Sequence, residues 1–266
     1  MAGGASGSLS LELWKTRRRI VSLVVLAAVA GLALWLAGRR QEAALLRADA
    51  DQVAASNGAL LRSAVRAGAG VYRQGCASCH GAQGRGDMSA GVPDLTDADW
   101  LYGRGLAQEI EQVAEHGIRS HRAKALALAD MPAFALPAPS STERISSLSP
   151  RDIADVTEFI RYLGGGAQDM TAAARGGLIY QARGACFDCH GRDGRGDSAV
   201  GAPNLADATW LYGDRKRESI ARSIAEGRAG VCPGGGGALS ATALRQVALY
   251  IHSRSSSRRA GADRGS

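Results

Sequence analysis

Two hydrophobic patterns divide the chain. From Ile20 to Gly38 it runs for 19 residues without a charge. As a helix this stretch measures about 28 Å, close to the hydrocarbon thickness of a bilayer. Trp14 and Trp35 sit near its ends, where indoles favour the membrane interface. Lys15, Arg17, Arg18 and Arg19 precede it and Arg39 and Arg40 follow, an asymmetry that favours a cytoplasmic N-terminus. The competing reading is a cleaved secretory signal. Ala28-Val29-Ala30 has the small-x-small form of a cleavage site, but it lies inside the apolar run, and the run is long for a signal core. The anchor reading is the stronger one, and either sends the rest of the chain to the outer side of the membrane.

Beyond the anchor the apolar residues are spaced at helical periods, and no alternating run argues for a sheet. Ile153, Val156 and Ile160 mark one helix, with Ser149 as N-cap and Pro150 in its first turn. Leu244, Val247, Ala248 and Ile251 mark another. The chain also repeats itself. The run from Cys76, "CASCHGAQGRGDMSAGVPDLTDADWLYG", matches "CFDCHGRDGRGDSAVGAPNLADATWLYG" from Cys186 at a constant offset of 110, without gaps. A self-match of this length means two copies of one domain. The copies continue with a shift. Gly117 matches Gly227, Met131-Pro132 matches Cys232-Pro233, and Leu148-Ser149 matches Leu239-Ser240.

The sequence therefore predicts an all-α protein in six parts. These are a cytoplasmic tail (1–19), a transmembrane helix (20–38), a linker whose Ala, Leu and mixed charges are compatible with helix (39–64), a first domain (65–166), a second domain (167–253) and a disordered basic tail (254–266). The "GGGAQD" run at 164–169 predicts a flexible connection between the domains.

Composition adds two points. Aromatic residues make up only 5% of the chain, so Ala, Leu, Val and Ile fill the core unless something else does. The net charge of +7 gathers at "KTRRR" beside the apolar run and in "RSSSRRAGADR" near the C-terminus. That pattern fits a membrane flank and a solvated tail, and predicts no nucleic-acid partner.

The repeated Cys-x-x-Cys-His is the attachment signature of c-type haem. Two thiols three residues apart on one helical turn reach the two vinyl groups of one porphyrin, and the adjacent histidine faces the iron. Cys76, Cys79 and His80 would hold one haem; Cys186, Cys189 and His190 would hold the other. A zinc site wants spaced ligand pairs, and a redox dithiol wants a βαβ context. A local disulfide leaves both histidines without a role. A bound macrocycle also accounts for the scarcity of aromatics.

A second axial ligand is commonly methionine, which raises the reduction potential. In the first domain the candidate is Met131. Met88 aligns with Ser198 and Met170 falls in the linker, while His116, His121 and His252 read as solvated. The second domain has no methionine after residue 170, and Cys232 stands at the position that matches Met131. Pro93 and Pro203, each thirteen residues after its histidine, offer a carbonyl to the second ring nitrogen. Trp100, Tyr102, Trp210 and Tyr212 either line the haem edges and donate to propionates or serve as ordinary packing aromatics.

At these residues the chain resembles a known family. "GAPNLADATWLYG", "EGRAGVCP" and "VALYIHS" in the second half, and "HGIRSHRAKALALADMPAF" in the first, look like the dihaem third subunit (CcoP/FixP type) of cbb3-type cytochrome c oxidases. The likeness covers about residues 65 to 253. It implies two tandem class I cytochrome c domains behind one transmembrane helix, with two covalently bound haem c groups. It implies electron delivery from a periplasmic cytochrome donor to the other oxidase subunits, at the bacterial inner membrane with the haem domains periplasmic. It pairs His80 with Met131 and His190 with residue 232. The chain departs from the family in carrying Cys232 where methionine is expected, glycines at 234–237 where a bulkier residue is expected, and no Asn-Pro and Trp-rich segment beside the membrane helix. Two alternatives stay open. A dihaem sulfur-oxidising enzyme of the thiosulfate dehydrogenase kind is favoured by the methionine-to-cysteine exchange. A membrane-tethered shuttle could serve another dehydrogenase.

Overall fold

The computed structural model describes residues 6–56, 58–126, 129–136 and 146–262. It has two compact units, divided between Ala48 and Asp49. The first is helix α1, Ser6–Arg47. The apolar run lies inside this one uninterrupted helix, and the stretch Trp14–Arg47 is long and apolar enough to cross a membrane. Its apolar side chains from Ile20 to Leu36 are exposed, as lipid-facing residues would be.

The second unit holds nine helices among the described residues: α2 (Ala50–Ala55), α3 (Ala59–Gly75), α4 (Ala77–His80), α5 (Ala107–His116), α6 (Pro150–Leu163), α7 (Met170–Gln181), α8 (Phe187–His190), α9 (Arg217–Glu226) and α10 (Ala241–Ala262). Only isolated β-bridges accompany them among the described residues. Local signals set the ends. Asp49 caps α2 through Gln52 N. Ser149 and Asp152 form a reciprocal capping box on α6, with Pro150 in the first turn.

The packing crosses between the repeats. Helix α3, which opens the first repeat, packs on α10, which closes the second; α7, which opens the second, packs on α6, which closes the first. Each crossing uses a Gly-x-x-x-Tyr pair. Gly68 lies against the Gln246 backbone and Gly176 against the Asp155 backbone, so closely that a methyl group at either would strike a carbonyl. One turn on, Tyr72 packs on Tyr250 with ring centroids 5.3 Å apart, and Tyr180 on Phe159 at 5.0 Å. The cores are correspondingly mixed. One joins Phe134, Leu148, Ile153, Val156 and Ile160 with Ile179, Ile220 and Ile224. The other joins Tyr72 and Ile110 with Val247, Ala248 and Ile251.

The repeats are thus consecutive in sequence but not self-contained. One fold takes its helices from the continuous stretch 129–228. The other combines α2, α3, α4 and α5 with the C-terminal stretch, so the first is inserted into the second. Two short connections make the exchange. Met131 and Arg228 exchange backbone hydrogen bonds of 3.0 Å each; Ile118 and Cys232 do the same at 2.9 and 3.0 Å.

Two connecting segments carry bonded structure. The 164–169 connection is a bonded turn rather than a loose spacer. Its Gln168 and Asp169 amides donate to the wholly buried Glu158 carboxylate at 2.9 and 3.1 Å. Helix α10 continues through the expected disordered tail to Ala262. Ser255 is wholly buried with its hydroxyl bonded to the His252 carbonyl, and Arg254 donates to Gln83 O. Residues 263–266 of that tail lie outside the described residues.

Candidate haem sites

Each Cys-x-x-Cys-His begins where a long helix ends. Cys76 caps α3, and the single turn α4 carries Cys79 and His80. Cys186 precedes α8, which carries Cys189 and His190. Tyr72 and Tyr180 tie each turn down by donating to the Gly81 and Gly191 carbonyls, both at 2.7 Å. No disulfide joins any of the five cysteines.

After each histidine the chain doubles back. Gly86 N donates to His80 O and Gly196 N to His190 O; Asp87 bridges Val92 and Asp197 bridges Ala202. This loop returns a proline carbonyl to the imidazole. His80 Nδ1 lies 3.1 Å from Pro93 O, and His190 Nδ1 lies 3.0 Å from Pro203 O. A carbonyl only accepts, so Nδ1 carries the proton and Nε2 keeps its lone pair for a metal. The "GRGD" motif serves this geometry. Gly86 and Gly196 adopt φ of +67° and +77°, and a side chain at either would collide with the proline carbonyl segment.

Burial holds both imidazoles below the ordinary histidine pKa, with the proline carbonyls opposing the shift in part. It pushes the Cys186 thiol up to about 12. Cys76 is raised by burial and then by the nearby Cys232 and Cys79.

The two expected distal residues exchange folds. Met131 packs against the same core as Cys186, Leu205 and Trp210, in the fold that carries His190. Cys232 is paired with Ile118 at the end of α5 and lies near Cys76, on the His80 side. The cause is the exchange itself, because each residue follows its closing helix into the other fold. The glycines after Pro233 suit this docking: Gly235 N and Gly236 N donate to Ala114 O and Glu115 O at 2.6 and 2.8 Å. In the other fold Phe134 N and Ala135 N make the equivalent bonds to Ile224 O and Ala225 O.

The aromatics separate. Trp100 Nε1 is buried and has no hydrogen-bond partner, whereas Trp210 Nε1 donates to Asp207 O at 3.4 Å. Tyr102 and Tyr212 stand at the seam between repeats, the first against Gly201 and the second against Gly91. Met88 and Met170 are exposed. His116 Nε2 lies 3.6 Å from Glu115, and His121 is exposed. Tyr72, Tyr180 and their glycine partners align between the repeats only after a two-residue shift from the cysteine offset. The common Gly-x-x-x-Tyr spacing was the available signal.

A haem c fits these residues. Each half presents two free thiols and an imidazole with Nε2 available. The orphaned indole N–H of Trp100 wants a buried acceptor, and a propionate is one.

Comparison with known proteins agrees. Residues 65–164 match the family model "Cytochrome c", and residues 171–251 match "Cytochrome C oxidase, cbb3-type, subunit III". The chain is 39% identical over 202 residues to a cbb3-type cytochrome c oxidase subunit FixP of Azorhizobium caulinodans, covering 74% of this chain and 61% of that one. It is 35% identical over 208 residues to the subunit CcoP of Cereibacter sphaeroides, covering 78% and 67%. The chain belongs to the CcoP/FixP family. Its two cytochrome c domains bind haem c covalently. The chain spans about three fifths to two thirds of the length of these two relatives.

Proposed function

We propose that this member of the CcoP/FixP family is a membrane-anchored electron-transfer subunit, taking electrons from a periplasmic cytochrome and passing them to the catalytic core of a cbb3-type oxidase. The observation that carries the reading is the doubled constellation of Cys-x-x-Cys-His with its imidazole fixed by a proline carbonyl. Bound haem c supplies an iron that alternates between ferric and ferrous states and so carries one electron. Cys76, Cys79 and His80 would hold one haem, with Cys232 as the second candidate residue for its iron. Cys186, Cys189 and His190 would hold the other, with Met131 as the second candidate. Pro93 and Pro203 fix the histidine tautomers, and Trp100 would donate to a propionate. A methionine thioether would raise the potential of its site, whereas a cysteine sulfur bound as thiolate would favour the ferric state, so the Cys232 site would be the lower in potential. The basic flank of α1 supports a cytoplasmic N-terminus with both haem domains in the periplasm.

The test is to solubilise membranes, purify the chain by a tag and identify what accompanies it. Oxidase subunits and oxygen uptake driven by a reduced periplasmic cytochrome are expected. Their absence rejects the reading. Cys232 beside the first site favours a second reading, a sulfur-oxidising enzyme, and reduction of the purified chain by thiosulfate alone would establish that one instead.

A further inference from the structure

The two exchange strands share one side chain. Arg119 follows α5 by three residues and is mostly buried, at 17% side-chain exposure. Its Nε donates to Gly230 O at 2.9 Å and one Nη donates to Ala129 O at 3.0 Å. The same Nη lies 3.1 Å from Tyr102 Oη, and Asp130 sits 3.3 Å from Nε. Ala129 and Gly230 stand two residues before Met131 and Cys232 respectively. A single planar guanidinium therefore fixes the backbone leading to both distal residues, which belong to different sites.

The arrangement breaks the repeat. The shift that matches Gly117 with Gly227 puts Ala229 where the first repeat has Arg119. The neighbouring Arg228 does a different job, lying over the Tyr212 ring at 4.5 Å and bonding Ser223. The backbone accommodates the clamp at some strain, since Arg119 holds φ at +49° without being glycine. Lysine cannot replace it, because a single ammonium on a flexible stem lacks the planar fork that meets two fixed carbonyls at once.

We propose that Arg119 is the positioning residue of both distal ligands, one guanidinium setting the Met131 strand and the Cys232 strand together and so coupling the ligation of the two haem sites. This rests on the axial assignment above. Chemistry at one strand is then felt at the other, although neither distal residue touches its counterpart.

The test uses the full-length dihaem chain purified from membranes, with haem content and far-ultraviolet circular dichroism as checks of folding. Met131→Ala and Cys232→Ala serve as references. The first is expected to abolish the near-infrared sulfur-to-iron band of the methionine site, and the second to alter the paramagnetic resonance signal of the cysteine site. If either leaves its spectrum unchanged, the axial assignment is wrong. With the references as expected, Arg119→Gln should weaken the near-infrared band and broaden the cysteine-site signal in one and the same variant, at full haem content. Arg119→Lys should restore at most one of the two signatures. Loss confined to one site in Arg119→Gln, or full recovery of both in Arg119→Lys, overturns the clamp while leaving the ligands in place. Should Arg119→Gln fail to assemble, Arg119→Lys alone decides: both spectra unchanged from the parent overturns the proposal, and a change in either supports it.

Discussion

Tyr72 of the first repeat packs its ring on Tyr250 of the second, with centroids 5.3 Å apart. That contact sits where α3 crosses α10, and its counterpart sits where α7 crosses α6. Cutting the chain by its repeats therefore removes a closing helix from each half. Residues 167–253 expressed alone should lack a folded core, whereas residues 129–228 contain every helix of one fold. We expect the second fragment to give a cooperative thermal transition and retain one haem on a denaturing gel, and the first to do neither. The reverse result would mean that each repeat closes on its own helix.

The crossing itself is testable with one methyl group. Alanine at Gly68 meets the Gln246 carbonyl carbon at 2.6 Å and Tyr250 Cβ at 2.9 Å. Overpacking of this kind costs about 1–3 kcal/mol. Gly68→Ala should lower the denaturant midpoint without changing its slope, and Gly176→Ala should do the same through Asp155 and Val156. Substitution of Gly70 on the same helix by alanine is the control, since no side-chain or backbone atom crowds it below 4.0 Å.

Crossed ligation predicts which haem feels which residue. In a single-haem variant made by Cys186→Ala and Cys189→Ala, Met131→Ala should leave the visible and near-infrared spectra untouched. Cys232→Met in that background should create a sulfur-to-iron band and raise the potential. A response to Met131→Ala there would restore the pairing by sequence order.

The indole of Trp100 isolates a single donor. A buried polar group left unsatisfied costs about 1–3 kcal/mol. If the N–H serves a propionate, Trp100→Phe should destabilise the haem-loaded chain by about that amount in a denaturation midpoint. An unchanged midpoint means that the donor meets nothing in the loaded protein.

Glu158 gives the fold made from residues 129–228 an acid limit. Burial opposes its ionisation, but the amides of Gln168 and Asp169 and the Arg161 guanidinium outweigh that and hold its carboxyl below the ordinary value of 4.5. Arg217 adds a second ion pair at 2.8 Å. For a depressed carboxyl the stabilisation is complete above 4.5 and is lost as pH falls through the lower folded value. Glu158→Gln should flatten the acid side of the stability profile and cost about 3 kcal/mol at neutral pH, where it breaks a buried ion pair. An acid limb as steep as the parent's would place the responsible carboxylate elsewhere.

Much of this protein was legible before any coordinates. The charge-free run foretold α1, the capping residues Ser149 and Pro150 foretold the start of α6, and the thirteen-residue interval from each histidine foretold its proline carbonyl. These are local relations, set by side-chain chemistry over one loop or one helix, and local physics settles them. The apolar spacing of 153–160 and 244–251 likewise fixed which faces would be buried. Which partner buries them was not encoded in spacing. Two copies of one domain present nearly the same faces, so closing within a repeat and closing across repeats satisfy the same hydrophobic pattern. The choice falls to the tertiary structure, through the bridged segments at 129–131 and 228–232 and the arginine that pins them. That choice carries Met131 into the fold of His190 and Cys232 into the fold of His80, because each residue goes wherever its closing helix packs.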